Sequence, residues 1–148
     1  MKTMKYLILG TALLLAAAAF AQLTSSRAEL AVKMSGFKSD RGVARVYLFR
    51  YEPGWPWDAP LAFATVAVPI AKREATAVIG DLPYGVYAVA AFHDENDDGV
   101  LNVNFFKVRT EGWAFARNRQ ALTEAPAFED ARVEVFAANV TVEVALQY

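Results

Sequence analysis

The feature that most constrains this chain is a period-two alternation of apolar and polar side chains. In residues 28–34 an apolar side chain occupies every second position, which is the pattern of a half-buried β-strand. The same alternation recurs in residues 132–136 and 141–148. A helix would instead repeat its apolar side chains every three to four residues, and the chain beyond its first residues shows almost no such period. The chain is therefore predicted to be all-β.

Four more segments are strand candidates bounded by turn-forming residues: 43–49, 62–68, 75–79 and 86–93. The first and last of these lack a polar face, apart from Arg45, and are predicted to be covered on both sides. Residues 80–85, with two Gly and one Pro, are predicted to form a turn.

Residues 94–127 show neither period and are predicted to be one long loop, which in a compact domain usually has a function. About seven short strands separated by turn signals predict a single antiparallel β-sandwich of immunoglobulin or transthyretin type.

Composition excludes several classes of protein. The chain has 148 residues, of which 55% are hydrophobic, and a formal net charge of −1; such a chain fits one folded domain and not a disordered one. It has no cysteine, so a disulfide framework, a thiolate zinc site and a cysteine nucleophile are excluded. The near-neutral charge gives no basic footprint for nucleic acid.

The first 21 residues have the pattern of a secretory signal peptide. A basic start at residues 1–5 precedes an apolar run at residues 6–20, and Ala19-Phe20-Ala21 places small residues where a signal peptidase reads them. Cleavage before Gln22 would leave a domain at residues 22–148, in the periplasm or secreted. A retained anchor is the alternative, but the apolar run is shorter than the ~20 residues of a spanning helix. The mature protein is expected to have no membrane span.

An acidic segment follows the strand candidate 86–93. Residues 94–99, DENDDG, match the D-x-[DN]-x-[DN]-G opening of a calcium-binding loop, in which alternate side chains supply oxygen ligands. The predicted ligands are the side chains of Asp94, Asn96 and Asp98, the Val100 carbonyl, and Asn102 directly or through water.

The match to a calcium-binding loop is partial. An EF-hand needs a bidentate Glu at its twelfth position and flanking helices, whereas this chain has Phe105 and a strand. Glu111 is the nearest candidate for the missing carboxylate. The alternative is a plain acidic turn, because Asp, Asn and Gly satisfy their own backbone in turns. Four carboxylates within residues 94–98 favour a cation, since they would otherwise repel one another.

Four sequence elements occur in a distinctive order: LPYGVYAV at residues 82–89, HDEN at 93–96, EGWAF at 111–115 and PAFEDA at 126–131. Together they resemble the secreted bacterial family catalogued as domain of unknown function family 2141. The resemblance implies a small exported β-sandwich and carries no activity. This chain departs from the family pattern at Asn102, where an Asp is common, and at Lys107 and Arg109, where Gly and Pro are common.

Three classes of function remain open. The first is an exported, non-enzymatic module stabilised by calcium. The second is a domain that binds a carbohydrate or peptide, with an unidentified protein or glycan of the cell envelope as partner. Its contact residues would be Trp55, Trp57 and Trp113, although loop tryptophans can also form a lid over the sandwich. The third is a hydrolase using His93 with Asp94 and Glu111, which no recognisable nucleophile motif supports. We expect the first, without an enzymatic activity.

Overall fold

A computed structural model of the chain describes residues 26–117 and 124–148. The predicted signal peptide, residues 1–21, lies outside the described residues, as does part of the predicted long loop. In the described part of the chain, no helix is long and apolar enough to cross a membrane.

The described residues form eight strands and two short 3-10 helices, which confirms the all-β prediction. The strands are β1 (Arg27–Ser35), β2 (Val43–Phe49), β3 (Ala64–Pro69), β4 (Glu74–Pro83), β5 (Gly85–Asp94), β6 (Trp113–Phe115), β7 (Arg132–Val135) and β8 (Asn139–Ala145). The 3-10 helices are Ala59–Leu61 and Phe128–Ala131.

The strands form two sheets that pack against each other as a sandwich. One sheet has three strands in the order β4-β1-β8, and the other has five, in which β3, β2 and β5 are neighbours. Strand β5 is central because β2 pairs along one edge while β7 and β6 pair along the other, β7 with residues 85–88 and β6 with residues 90–92. The acidic segment therefore follows a strand that is held on both edges.

The structure differs from the predicted topology in three places. Strand β8 pairs with β1 in parallel, so the smaller sheet is mixed. Strand β6 lies inside the predicted loop 94–127 and makes eight strands in place of about seven; its three residues are all buried, so they show no alternation. Strand β4 continues through Gly80 and Asp81, which lie opposite Glu29 as a bulge, and it ends at Pro83, so the predicted turn is reduced to Tyr84 between β4 and β5.

Both faces of the larger sheet are covered. Alternate residues of β5, including Tyr87 and Val89, point into the main core between the sheets. The intervening residues, including Phe92, belong to a second apolar cluster on the other face, which Trp55 and Trp57 cover. This arrangement confirms that the strand segments 43–49 and 86–93, which lack a polar face, are buried on both sides.

Candidate functional site

The acidic loop, residues 94–102, begins where β5 ends. The Asp94 side chain is fully buried, and its carboxylate accepts hydrogen bonds from the backbone N–H of Asp98 at 3.0 Å and of Gly99 at 2.8 Å. Gly99 has φ +83, a left-handed angle that glycine adopts without a steric cost. The loop therefore has the tight curl expected for the opening of a calcium-binding loop.

Arg45 of β2 pairs with two carboxylates of the acidic loop. Its Nε donates to Asp94 Oδ2, and its Nη2 lies 2.7 Å from Asp97 Oδ1. The hydrogen bond with Asp94 raises the pKa of the Arg45 guanidinium. On the neighbouring side, Lys38 Nζ lies 2.5 Å from Glu95 Oε1. Three of the four carboxylates in residues 94–98 thus have a cationic partner within the protein.

Asp98 is the fourth carboxylate, and it accepts hydrogen bonds from two predicted ligand side chains and one backbone N–H. Its Oδ2 accepts from the Asn96 amide at 2.8 Å and from the Asn102 amide at 3.0 Å. Its Oδ1 accepts from the Val100 N–H at 2.9 Å. These hydrogen bonds, of which the one from Asn102 contributes most, lower the pKa of Asp98 from its ordinary value of 3.8. Charge and polar side chains are therefore concentrated at the surface of the loop.

Glu111 folds back onto the loop. Its side chain is 4% exposed, and its two oxygens accept from the backbone N–H of Glu95 at 2.8 Å and of Asn102 at 2.9 Å. One carboxylate thus connects both ends of the acidic loop. A charged acceptor makes each of these hydrogen bonds stronger than a neutral one.

The six predicted ligand residues therefore lie in one loop and its closing carboxylate. The side chains of Asn96, Asp98 and Asn102 meet, while Asp94 and Glu111 accept backbone N–H groups. Across residues 26–117 and 124–148, no three His, Asp or Glu side chains form a group that could hold a metal ion.

A family model described as "Uncharacterized protein conserved in bacteria (DUF2141)" matches residues 32–143, well over half of the chain. The chain belongs to the DUF2141 family. No curated protein and no solved structure matches it. The match starts within β1 and ends within β8, so DUF2141 corresponds to the sandwich with its acidic loop.

The single histidine of this DUF2141 member lies next to the acidic loop but is fully enclosed. His93 Nδ1 is 2.7 Å from the Tyr148 hydroxyl, and Nε2 is 2.7 Å from the Arg41 carbonyl oxygen. Phe37 packs edge-on against the ring. With both ring nitrogens bonded and no exposed face, His93 ties the end of β5 to two other segments.

The three tryptophans do not share one exposed surface. Trp113 of β6 is 6% exposed, and the Arg109 guanidinium lies 4.7 Å from the centroid of its ring. Trp55 and Trp57 both pack against Phe115, and Trp55 Nε1 donates to the Pro126 carbonyl at 2.9 Å. Trp55 and Trp57 thus cover the outer face of the larger sheet, on the side away from the main core.

Sequence reasoning missed Arg45, Lys38 and Tyr148 as part of this site. Arg45 had a detectable signal, since it is the one charged residue in a segment predicted to be buried on both faces, and a charge there needs a partner. Lys38 and Tyr148 had none, because contacts between residues this distant in sequence leave no local pattern.

Proposed function

We propose that this chain is an exported, non-enzymatic β-sandwich module whose acidic loop, closed by Glu111, binds one calcium ion. The observation that carries the proposal is the convergence of Asn96 and Asn102 on Asp98 Oδ2, at 2.8 and 3.0 Å. This cluster of three side chains includes and follows the tight turn that the Asp94 carboxylate organises.

The chemistry of the donor set suits calcium, which takes six to eight hard oxygen ligands. The carboxylate of Asp98 and the carbonyl of Val100 offer oxygens directly. Asp94 Oδ1 and the two oxygens of Glu111 each accept one backbone N–H and keep a second lone pair for a cation. The amides of Asn96 and Asn102 supply oxygens after a half-turn about the terminal bond, since amide O and N occupy interchangeable positions. Magnesium should bind poorly, because a flexible loop does not enforce its compact octahedral geometry.

The non-enzymatic part of the proposal is supported by the state of the acid and base groups. Both nitrogens of His93 are hydrogen bonded inside the protein, and the carboxylates of Asp94 and Glu111 accept backbone N–H groups. A general base must reach a substrate proton. These three residues instead hold the loop in place.

The export part of the proposal is supported by the pattern of residues 1–21. We expect the protein isolated from its native envelope to begin at Gln22, because the basic start, short apolar run and small residues stand together. Mass spectrometry of the N-terminus measures this directly. An intact Met1 would contradict it.

Calorimetric titration and thermal melting of the protein with calcium test the metal site. We expect a dissociation constant of about 10⁻⁴–10⁻³ M, as in extracellular modules with few charged ligands. At free calcium ten times that constant, binding adds about 1.4 kcal/mol to the free energy of unfolding, which raises the melting temperature by several degrees.

Two matched variants locate the calcium effect. Asp98→Asn should abolish the calcium-dependent rise, because it removes the carboxylate at the centre of the cluster. Asp97→Asn is the control: it makes the same chemical change in the same loop, but its carboxylate points outward to Arg45, so the rise should persist. A wild-type melt unaffected by millimolar calcium would identify the loop as an acidic turn neutralised by Arg45 and Lys38.

A second candidate function rests on a groove of about 470 Å³ beside the acidic loop. Its walls include Tyr47, Trp57, Lys107 and Arg109, so an aromatic surface and two cations face a common space. Such a groove suits an acidic glycan or peptide of the cell envelope. Fluorescence titration with a panel of such ligands tests this, and a quench that persists in Trp57→Phe would count against it.

A further inference from the structure

Residues 102–110 form a β-hairpin that projects from the acidic loop. Val103 and Arg109 pair across it, and the Thr110 N–H donates to the Asn102 carbonyl at 3.0 Å. Asn104 organises the tip: its side-chain oxygen accepts from the N–H groups of residues 106 and 108 at 2.9 and 3.0 Å, and its own N–H donates to the residue 108 carbonyl at 2.8 Å. The tip therefore has a defined shape.

The tip presents apolar side chains to solvent. Phe105 is 94% exposed and Phe106 81%, and their rings pack edge to face with centroids 5.5 Å apart. Val100, Val103 and Val108 are each more than half exposed around them. Because exposing two phenylalanines is unfavourable, a contiguous patch of this kind marks an interaction surface.

A cationic side chain accompanies this apolar tip. Lys107 is exposed next to the two phenylalanines, and residues 99–110 contain no acidic residue. Arg109, on the returning arm, lies over the Trp113 ring. The Asp98 carboxylate lies at the base of the hairpin, where it accepts from the Asn102 amide. The tip itself is therefore apolar and carries the Lys107 cation.

We propose that the hairpin 102–110 docks this domain on the surface of an anionic phospholipid bilayer. Phe105 and Phe106 would enter the boundary between headgroups and acyl chains, while Lys107 would face the lipid phosphates, an arrangement typical of peripheral membrane anchors. A second copy of the chain fits less well, because a stable dimer buries about 800 Å² on each partner and this tip is a narrow, projecting turn. The proposal does not depend on calcium.

Co-sedimentation of the exported protein with vesicles tests the proposal. We expect binding to vesicles of phosphatidylethanolamine and phosphatidylglycerol, and much weaker binding to phosphatidylcholine alone, because the Lys107 cation needs anionic headgroups. The double variant Phe105→Ser/Phe106→Ser should reduce the partition coefficient at least about tenfold. Lys107→Gln should reduce it roughly fivefold at low salt.

The matched control is Phe136→Ser. Phe136 is also an exposed phenylalanine, but it follows β7, which pairs with the opposite end of β5. Its replacement should change the partition coefficient less than about twofold. All variants carry the same N-terminus, so lipid binding through the N-terminus would give wild type and the double variant the same partition coefficient. That result would overturn the proposal.

A spectroscopic measurement distinguishes insertion from simple adsorption. The chain has no cysteine, so Val108→Cys and Phe136→Cys each carry one label that reports local polarity. Vesicles should shift the emission of the label at residue 108 to the blue and leave that at residue 136 unchanged. Equal shifts at the two labels would overturn the proposal. So would the absence of lipid binding together with a dimer, detected by light scattering, that dissociates in the Phe105→Ser/Phe106→Ser variant.

Discussion

Glu111→Gln tests whether one buried carboxylate holds the acidic loop to the sandwich. In the wild type, Glu111 accepts one backbone N–H from each end of the loop, at 2.8 and 2.9 Å. The glutamine keeps one acceptor oxygen but turns an NH₂ group toward the other donor. The hydrogen bond to the retained oxygen then has a neutral acceptor. At the other position the glutamine NH₂ faces a backbone N–H, so two donors meet without an acceptor.

The expected loss of unfolding free energy follows from the burial and charge of these two hydrogen bonds. A hydrogen bond to a charged group contributes about 1.5–3 kcal/mol, and a buried donor without a partner costs about 1–3 kcal/mol. We therefore expect Glu111→Gln to lower the free energy of unfolding by about 2–4 kcal/mol. For a domain of this size that lowers the melting temperature by roughly 8–16 °C.

Two measurements assess this change at Glu111. Urea unfolding gives the global free energy, and amide hydrogen exchange reports the N–H groups of Glu95 and Asn102, which should lose protection in the variant. Glu134→Gln, an exposed change on β7, is the control and should stay within about 0.5 kcal/mol of wild type. A Glu111→Gln protein with wild-type stability and unchanged exchange at both amides would refute the reasoning.

Three further predictions concern positions around the site. Gly42→Ala should lower the free energy of unfolding by about 2–4 kcal/mol, because its Cβ would lie 2.1 Å from a backbone oxygen at a φ of +73. Gly80→Ala, where a Cβ meets open space, is the control, and equal melting temperatures of the two variants would contradict the prediction. Burial raises the pKa of Tyr47 and Tyr87 above the ordinary value of 10.0, so the folded protein holds these protons more tightly. The free energy of unfolding in urea should therefore decrease as the pH rises above 10, while the tyrosine contribution stays constant just below it; an increase above pH 10 would refute this. Asn102→Asp should lower the calcium-free melting temperature and increase calcium affinity in calorimetry, because it places two carboxylates together; an unchanged affinity would argue against the calcium site.

Local patterns were sufficient to predict seven of the eight strands in the described residues, all but β6, because side-chain period and burial are properties of neighbouring residues. The segment 43–49 matches β2 residue for residue, and the segment 86–93 lies within β5. The turn predicted at residues 80–85 is confined to Tyr84, since Gly and Asp serve a β-bulge as well as a turn. The curl of residues 94–99 was also predictable, because Asp94 bonds to N–H groups within the same short segment.

By itself, the sequence therefore determined the fold class, the position of the acidic loop and the residue types gathered there. The tertiary structure alone decided what faces that loop. Arg45 reaches Asp94 because β2 and β5 are antiparallel neighbours, with Ala44 opposite His93. The parallel pairing of β1 with β8 was likewise beyond sequence reasoning. Such contacts join residues far apart along the chain, and their energy depends on the packed arrangement of the sheets, which no short stretch of sequence encodes.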